Sequence, residues 1–161
     1  VEYVIREAAT ADIRDLVTLR RAMFEAMGYD DAVALDRMCD ASASYFAERL
    51  PTGAFRAWVA EVDGRPIASI GLVTHSVPPS PRRLVGKEAY IMNLVTLPGF
   101  RRQGIAAALL DQVLTVARSE GIPVASLHAT AAGRGIYEQA GFRSDGVLPE
   151  MRRTLGDETT T

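Results

Sequence analysis

A chain of 161 residues with 48% hydrophobic and 24% charged residues can enclose one core and has a globular rather than a disordered balance. Its net charge of -2 and pI near 5.7 give no electrostatic reason to expect nucleic acid as the main partner. No apolar run approaches the roughly 20 residues that span a bilayer, no basic-then-apolar leader opens the chain, and the lone Cys39 has no disulfide partner. The expectation is a cytoplasmic protein without membrane contact.

In chain order, Glu2–Arg6 alternates enough for a short strand. Thr10 and Asp12 offer side-chain acceptors to the unpaired N–H groups of a helix start. Ile13, Leu16, Val17, Phe24 and Met27 then recur at helical spacing, and Gly28 stops the run. A second helix is expected from about Asp31 to Leu50, with Leu35, Met38, Ser42, Tyr45 and Phe46 on one face and Pro51 at its end. Two strand-like runs, Phe55–Val62 and Pro66–Thr74, flank Asp63-Gly64, a hairpin signal because both residues tolerate positive φ.

Ser76–Gly86 carries three prolines and two arginines and reads as a loop. Glu88–Thr96 is apolar on both faces beyond its first residues, hence a central strand. It leads through Leu97–Phe100 into Arg101-Arg-Gln-Gly-Ile-Ala106. Ile105, Leu109, Leu110, Val113, Leu114 and Ala117 then form an amphipathic helix closed by Gly121 and Pro123. A strand over Val124–His128, a short helix over Ala132–Ala140 and final strands from Gly141 to about Leu155 complete the pattern. The order is β-α-α-β-β-β-α-β-α-β, an α+β fold with a mixed, mostly antiparallel central sheet flanked by helices. One domain is expected over 1–155, followed by a flexible polar tail, 156–161.

The stretch richest in chemistry is the turn at Arg101–Ala106. A strand that enters a helix through small residues leaves backbone N–H groups unpartnered, and the helix dipole adds positive charge. Such a turn suits a phosphate or pyrophosphate. Gly104 and Ala106 keep side-chain bulk away, and Arg101 and Arg102 add charge. An ordinary strand-to-helix corner with solvated arginines would read the same way, and the segment alone does not separate the two. Neither the P-loop nor the dinucleotide glycine spacing is present.

Asn93-Leu-Val-Thr-Leu-Pro-Gly-Phe-Arg-Arg-Gln-Gly-Ile-Ala-Ala-Ala-Leu-Leu110 resembles the cofactor motif of the GNAT family of N-acetyltransferases. Ile136-Tyr137-Glu-Gln-Ala-Gly141-Phe142 is similar to that family's second signature, Leu-Tyr-x-x-x-Gly-Phe, in the right order and about a helix and a strand away. The resemblance implies that the strand Glu88–Thr96 splays from Val124–His128. Pantetheine of acetyl-CoA, a cosubstrate, would pair with backbone at Leu94, Val95 and Thr96, with its pyrophosphate on Arg101, Arg102, Gln103, Gly104, Ile105 and Ala106. It further implies a Leu94 N–H that polarises the acetyl carbonyl and a Tyr137 hydroxyl that protonates the leaving thiolate. Taken alone, Tyr137 also reads as an aromatic packed against Phe142.

Three departures from the family pattern stand out. Tyr90 occupies a position where some members place a glutamate; Glu88, two residues earlier on the same strand face, is the candidate base, acting through water. Thr130 stands where many relatives carry an asparagine that contacts pantetheine, and Gly133 replaces a commoner alanine. Arg134 is a candidate for a cofactor phosphate or a solvated helix start. His75 and His128 lack further ligands at suitable spacing, so no metal is expected. His128 reads as a satisfied structural histidine, with contact to the acceptor amine as the alternative.

The expected activity is acetyl transfer from acetyl-CoA to a primary amine by direct attack in a ternary complex. The acceptor is expected to be a small molecule, walled by the first two helices and the Ser76–Gly86 loop. Asp30, Asp31, Asp36 and Asp40 would either attract a cationic amine or form an exposed helix face. The alternatives are acetylation of a protein N-terminus or lysine, and a non-catalytic acyl-CoA-binding sensor. Homodimerisation stays open.

Overall fold

The computed structural model describes residues 1–144, 146 and 150–155. Strand β1 (Val4–Glu7) is followed by a short 3-10 turn, Thr10–Asp12, and two helices, α1 (Ile13–Ala26) and α2 (Ala32–Arg49). Strands β2 (Arg56–Val62), β3 (Arg65–Ser76) and β4 (Lys87–Thr96) come next, then α3 (Ile105–Ser119), β5 (Ala125–Ser126) and α4 (Arg134–Gln139). The five strands lie in sequence order, β1-β2-β3-β4-β5. Every pairing is antiparallel except β4 with β5, which is parallel. Among the described residues no helix is long and apolar enough to cross a membrane.

Alternation along the strands divides the apolar side chains between two layers. Trp58 and Ala60 of β2, with Ile70 and Leu72 of β3 and Ala89 and Ile91 of β4, bury against Leu109, Leu110 and Val113 of α3. Ala57 and Val59 of β2 point the other way, to Leu16 of α1 and Phe46 of α2. The helical spacing of those residues creates both interfaces, so the sheet is covered on each face.

The hairpin signal is realised: Asp63 and Gly64 take φ of 50° and 73° between β2 and β3. Asp31 caps α2 as expected, its carboxylate accepting from the N–H groups of Val33 and Ala34. Asp12 is used differently. The 3-10 turn runs directly into α1, so the Asp12 carboxylate instead accepts the Ala9 N–H at 2.7 Å and a bidentate pair from Arg6 at 2.7 and 2.8 Å. That pair locks β1 to the start of α1, and with the Ala9 N–H it holds the Asp12 carboxyl below its ordinary pKa.

Two expectations near the C-terminus need correction. The strand expected over Val124–His128 is only Ala125–Ser126. No strand forms among the described residues of the segment expected to hold the final strands, 141–144, 146 and 150–155; residues 145 and 147–149 lie outside the description, as does the expected tail, 156–161. A strand needs a paired neighbour, and two residues of β5 are a short template. The described part of this segment is also largely polar, and its apolar residues Met151 and Leu155 are exposed.

Gly71 sits opposite Met92 of β4, and a Cβ there would lie 2.8 Å from two ring atoms of Phe55, itself 1% exposed. Gly71→Ala is therefore expected to overpack this face and lower stability by about 1–3 kcal/mol. Urea denaturation checks it: the midpoint falls while the slope is unchanged.

Candidate active site

Strand β4 holds the centre of the site because its pairing changes along its length. Ser69 pairs with Val95 and Gly71 with Met92, so Ile70 alone faces both Asn93 and Leu94: a β-bulge. Asn93 takes φ of 55°, left-handed backbone that asparagine tolerates better than most residues. From α1, the Arg20 guanidinium donates to the Asn93 side-chain oxygen and lies over the Phe24 ring, 5.0 Å from its centroid. Burial pushes the Arg20 pKa below its ordinary value. Sequence reasoning missed Arg20; nothing in its helix pattern distinguishes it from Arg21.

On its other side β4 parts from β5 after two residue pairs, Ala89 with Ala125 and Tyr90 with Ser126. Beyond Tyr90 no described strand covers that edge. The Leu97 N–H donates to the Ile67 carbonyl at 2.9 Å, so alternation turns the Thr96 N–H and carbonyl away from β3 and into the opening. Arg101 Nε donates to that Thr96 carbonyl at 3.0 Å, so this arginine braces the strand end.

The turn into α3 closes one end of the opening. Arg102 and Gly104 have φ of 62° and 79°, and Gly104 is the N-cap. Among the described residues the backbone N–H groups from Arg102 to Ala107 have no intramolecular acceptor. Alternating left-handed residues ahead of a helix N-terminus form an anion-binding concavity. A Cβ at Gly104 would meet nothing within 4 Å, so the space before it is open. Ile105 is 1% exposed and anchors the turn in the core, leaving only its backbone to face outward.

Across the opening, the Thr130 hydroxyl accepts the Gly133 N–H at 3.2 Å, ahead of α4. A Cβ at Gly133 would lie 3.3 Å from both the Thr130 hydroxyl and the Tyr137 ring, so an added methyl would press on both. Arg134 is committed locally, to Glu138 at 2.6 Å and Ser144 at 3.2 Å. Tyr137 packs against the α3-side core and meets Phe142 edge-on at 6.0 Å between ring centroids. Its burial raises the phenol pKa, and its hydroxyl has no hydrogen-bond partner among the described residues.

Glu88 pairs across the sheet with His75 and accepts from Arg83 of the preceding loop at 2.6 Å. The Ser126 hydroxyl beside it and the Arg83 guanidinium hold the Glu88 carboxyl below the ordinary range. Tyr90 Oη lies 2.7 Å from His128 Nδ1, and His128 Nε2 bonds to Glu150. His128 is hydrogen-bonded on both nitrogens; the identity of its partners was not legible in the sequence. Of the four clustered aspartates, Asp31 is engaged at the α2 cap and Asp36 with Arg21 at 2.6 Å.

A covered mixed sheet, one parted strand pair and a turn lined with N–H groups define an acyl-transfer fold. Residues 13–142 match the acetyltransferase (GNAT) family model, and the chain belongs to that family. A GCN5-related N-acetyltransferase from Ralstonia eutropha JMP134 is 32% identical, with 94% of this chain and 99% of that one covered and a TM-score of 0.83. A predicted acetyltransferase from Clostridium acetobutylicum, solved with acetyl-CoA, is 27% identical, with 94% and 96% covered and a TM-score of 0.83. No curated protein matches the sequence.

The raised pKa of Tyr137 has a measurable consequence. Because the folded-state value is the higher one, the neutral phenol's share of stability is complete below the ordinary phenol pKa and is lost as pH climbs through the raised one. Alkaline titration of tyrosinate absorbance in the wild type and in Tyr137→Phe should show the missing component ionising above the ordinary phenol range. A component at or below that range would contradict the burial of Tyr137.

Proposed function

We propose that the protein transfers the acetyl group of acetyl-CoA to a primary amine on a small molecule, by direct attack in a ternary complex. The observation that carries this reading is the opening between β4 and β5, edged by unpaired backbone and closed by the N–H-lined turn at Gly104. In this reading the pyrophosphate lies on the backbone of Arg102 to Ala106, with Arg101 and Gln103 flanking it. Pantetheine runs along Leu94, Val95 and Thr96. The turn fits such a group: its donors lack acceptors and Gly104 leaves the approach clear. Thr130 borders the pantetheine, and Arg134 reaches a cofactor phosphate only by giving up Glu138.

The Leu94 N–H, at the bulge, polarises the acetyl carbonyl in this reading and stabilises its developing negative charge as the amine attacks. Tyr137 then gives a proton to the leaving thiolate. A phenol kept neutral by burial, with an uncommitted hydroxyl, holds the proton that step requires. Glu88, expected as the base, is ion-paired with Arg83, and a carboxylate held below its ordinary pKa is a reluctant proton acceptor. In this reading it orders the loop against β4, and only a water could connect it to the amine. The acceptor, in this reading a small molecule, lies on the face covered by α1 and α2; a protein N-terminus or lysine is the alternative.

Two measurements test the assignment. Gly104→Glu adds bulk and negative charge at the phosphate site, and Gly104→Ala introduces the same backbone strain without the charge. Calorimetry should show acetyl-CoA binding lost in the first and largely kept in the second; undiminished affinity in a folded Gly104→Glu protein would remove the pyrophosphate from this turn. Tyr137→Phe should lower kcat by about 10²–10⁴-fold with acetyl-CoA affinity nearly unchanged. Wild-type thiol release in that variant would take the acid role from Tyr137 and favour an acyl-CoA-binding sensor.

A further inference from the structure

A separate chain of titratable groups lies where β4 and β5 part. Tyr90 is the last β4 residue paired with β5. Its neighbours Ala89 and Ile91 are buried in the α3-side core, so the Tyr90 side chain projects from the opposite face, the one covered by α1 and α2. Tyr90 thus stands at the mouth of the opening on the face assigned to the acceptor. Its hydroxyl lies 2.7 Å from His128 Nδ1, and His128 Nε2 bonds to the Glu150 carboxylate.

The donors and acceptors have one consistent arrangement. An ionised carboxylate only accepts, so Nε2 of the neutral imidazole carries the hydrogen toward Glu150. Nδ1 is then a lone pair, and Tyr90 donates to it. Glu150 fixes the tautomer and stabilises the imidazolium, as a carboxylate behind a catalytic histidine does. The surrounding charges leave this order intact. Arg152 holds the other Glu150 oxygen at 2.8 Å and also reaches the one that His128 uses, at 3.4 Å; Arg83 is neutralised by Glu88 at 2.6 Å, and the His75 ring lies against Tyr90 at 5.8 Å between centroids. The side chains of His128 and Glu150 are 56% and 50% exposed, so a proton on His128 has a route to water.

We propose that Tyr90, His128 and Glu150 form a proton relay that converts the acceptor ammonium to the free amine; this rests on the amine acetyltransferase reading above. The ammonium N–H proton passes to Tyr90 Oη while the Tyr90 proton passes to His128 Nδ1. The products are a neutral amine, whose lone pair is free to attack, and an imidazolium held by Glu150. Two protons shift in concert, the net change being one proton and one positive charge carried from the ammonium to His128, which then releases the proton to solvent. Tyr90 is the catalytic residue that touches the acceptor, while His128 and Glu150 act through it.

The test follows thiol release with primary amines from pH 5.5 to 9.5, together with histidine ¹⁵N NMR on the same proteins. At neutral pH, Tyr90→Phe and His128→Gln should lower kcat/KM about 10²-fold or more, with acetyl-CoA affinity unchanged. The loss should shrink as pH rises toward the pKa of the amine, because the substrate then arrives already deprotonated. A loss independent of pH, or a wild-type profile in His128→Gln, overturns the relay. The NMR readout is independent of turnover. Neutral His128 should carry its hydrogen on Nε2, and Glu150→Ala, which removes the acceptor of that hydrogen, should release the tautomer preference. A hydrogen on Nδ1, or a tautomer unmoved by Glu150→Ala, overturns the relay. If the wild type acetylates no amine but the NMR result is as expected, the acetyltransferase reading fails while the hydrogen-bonded triad stands without its catalytic role; that outcome also rejects the relay as a step in amine transfer.

Discussion

Strand β4 must satisfy two neighbours that ask different things of it. β3 pairs with it antiparallel along its whole length, while β5 joins it in parallel for only two residues. The bulge at Asn93 and Leu94 is where the strand absorbs the difference. In a regular strand Met92 and Leu94 would share a face. The extra residue reverses the alternation, so Met92 packs with the α1–α2 layer and Leu94 with the α3 layer. An unpaired edge inside a sheet is ordinarily a liability, open to wrong pairing. Here it is shielded on both faces by helices and leads directly into a turn rich in free donors.

The two sides of the opening are held with different firmness. On one side Ile105, Leu109, Leu110 and Val113 are all nearly inaccessible, so the start of α3 cannot shift without disturbing the core. Its outward N–H groups are consequently oriented before any ligand arrives, and little ordering is lost on binding. On the other side α4 is less than two turns long and none of its residues is fully buried. Local bonds hold it: Thr130 to Gly133, Arg134 to Glu138, and the contact of Tyr137 with Phe142. A backbone anion site on the rigid side and a side-chain donor on the adjustable side suit a ligand that is held at one end and reacts at the other.

Much of this was legible in the residues because it is local. The Asp63-Gly64 hairpin, the Asp31 cap, the apolar stripe of α3 and the glycine ahead of it each depend on neighbours in sequence. The parting of β4 from the next strand followed from the resemblance of its motif. What escaped was set by partners distant in the chain. Asp12 reads as a helix cap until Arg6 is seen to claim it, and Glu88 reads as a free carboxylate until Arg83 folds onto it. No periodicity reveals that β5, expected over Val124–His128, forms only at Ala125–Ser126. Tyr90, His128 and Glu150 carry no shared motif; the short parallel pairing brings the first two together across 38 positions.

In the proposed reaction the same geometry keeps the acid and the base from neutralising each other. An acid for a thiolate must hold its proton until the carbon–sulfur bond breaks, which favours a half-buried phenol whose ionised form is poorly solvated. A base for an ammonium must instead shed the proton it collects before the next turnover, which requires contact with water. Tyr137 packs into the α3-side core, and its burial raises its pKa. Tyr90 projects from the other face and connects through an exposed imidazole to an exposed carboxylate. Two chemically identical side chains are thereby suited to opposite tasks by environment alone.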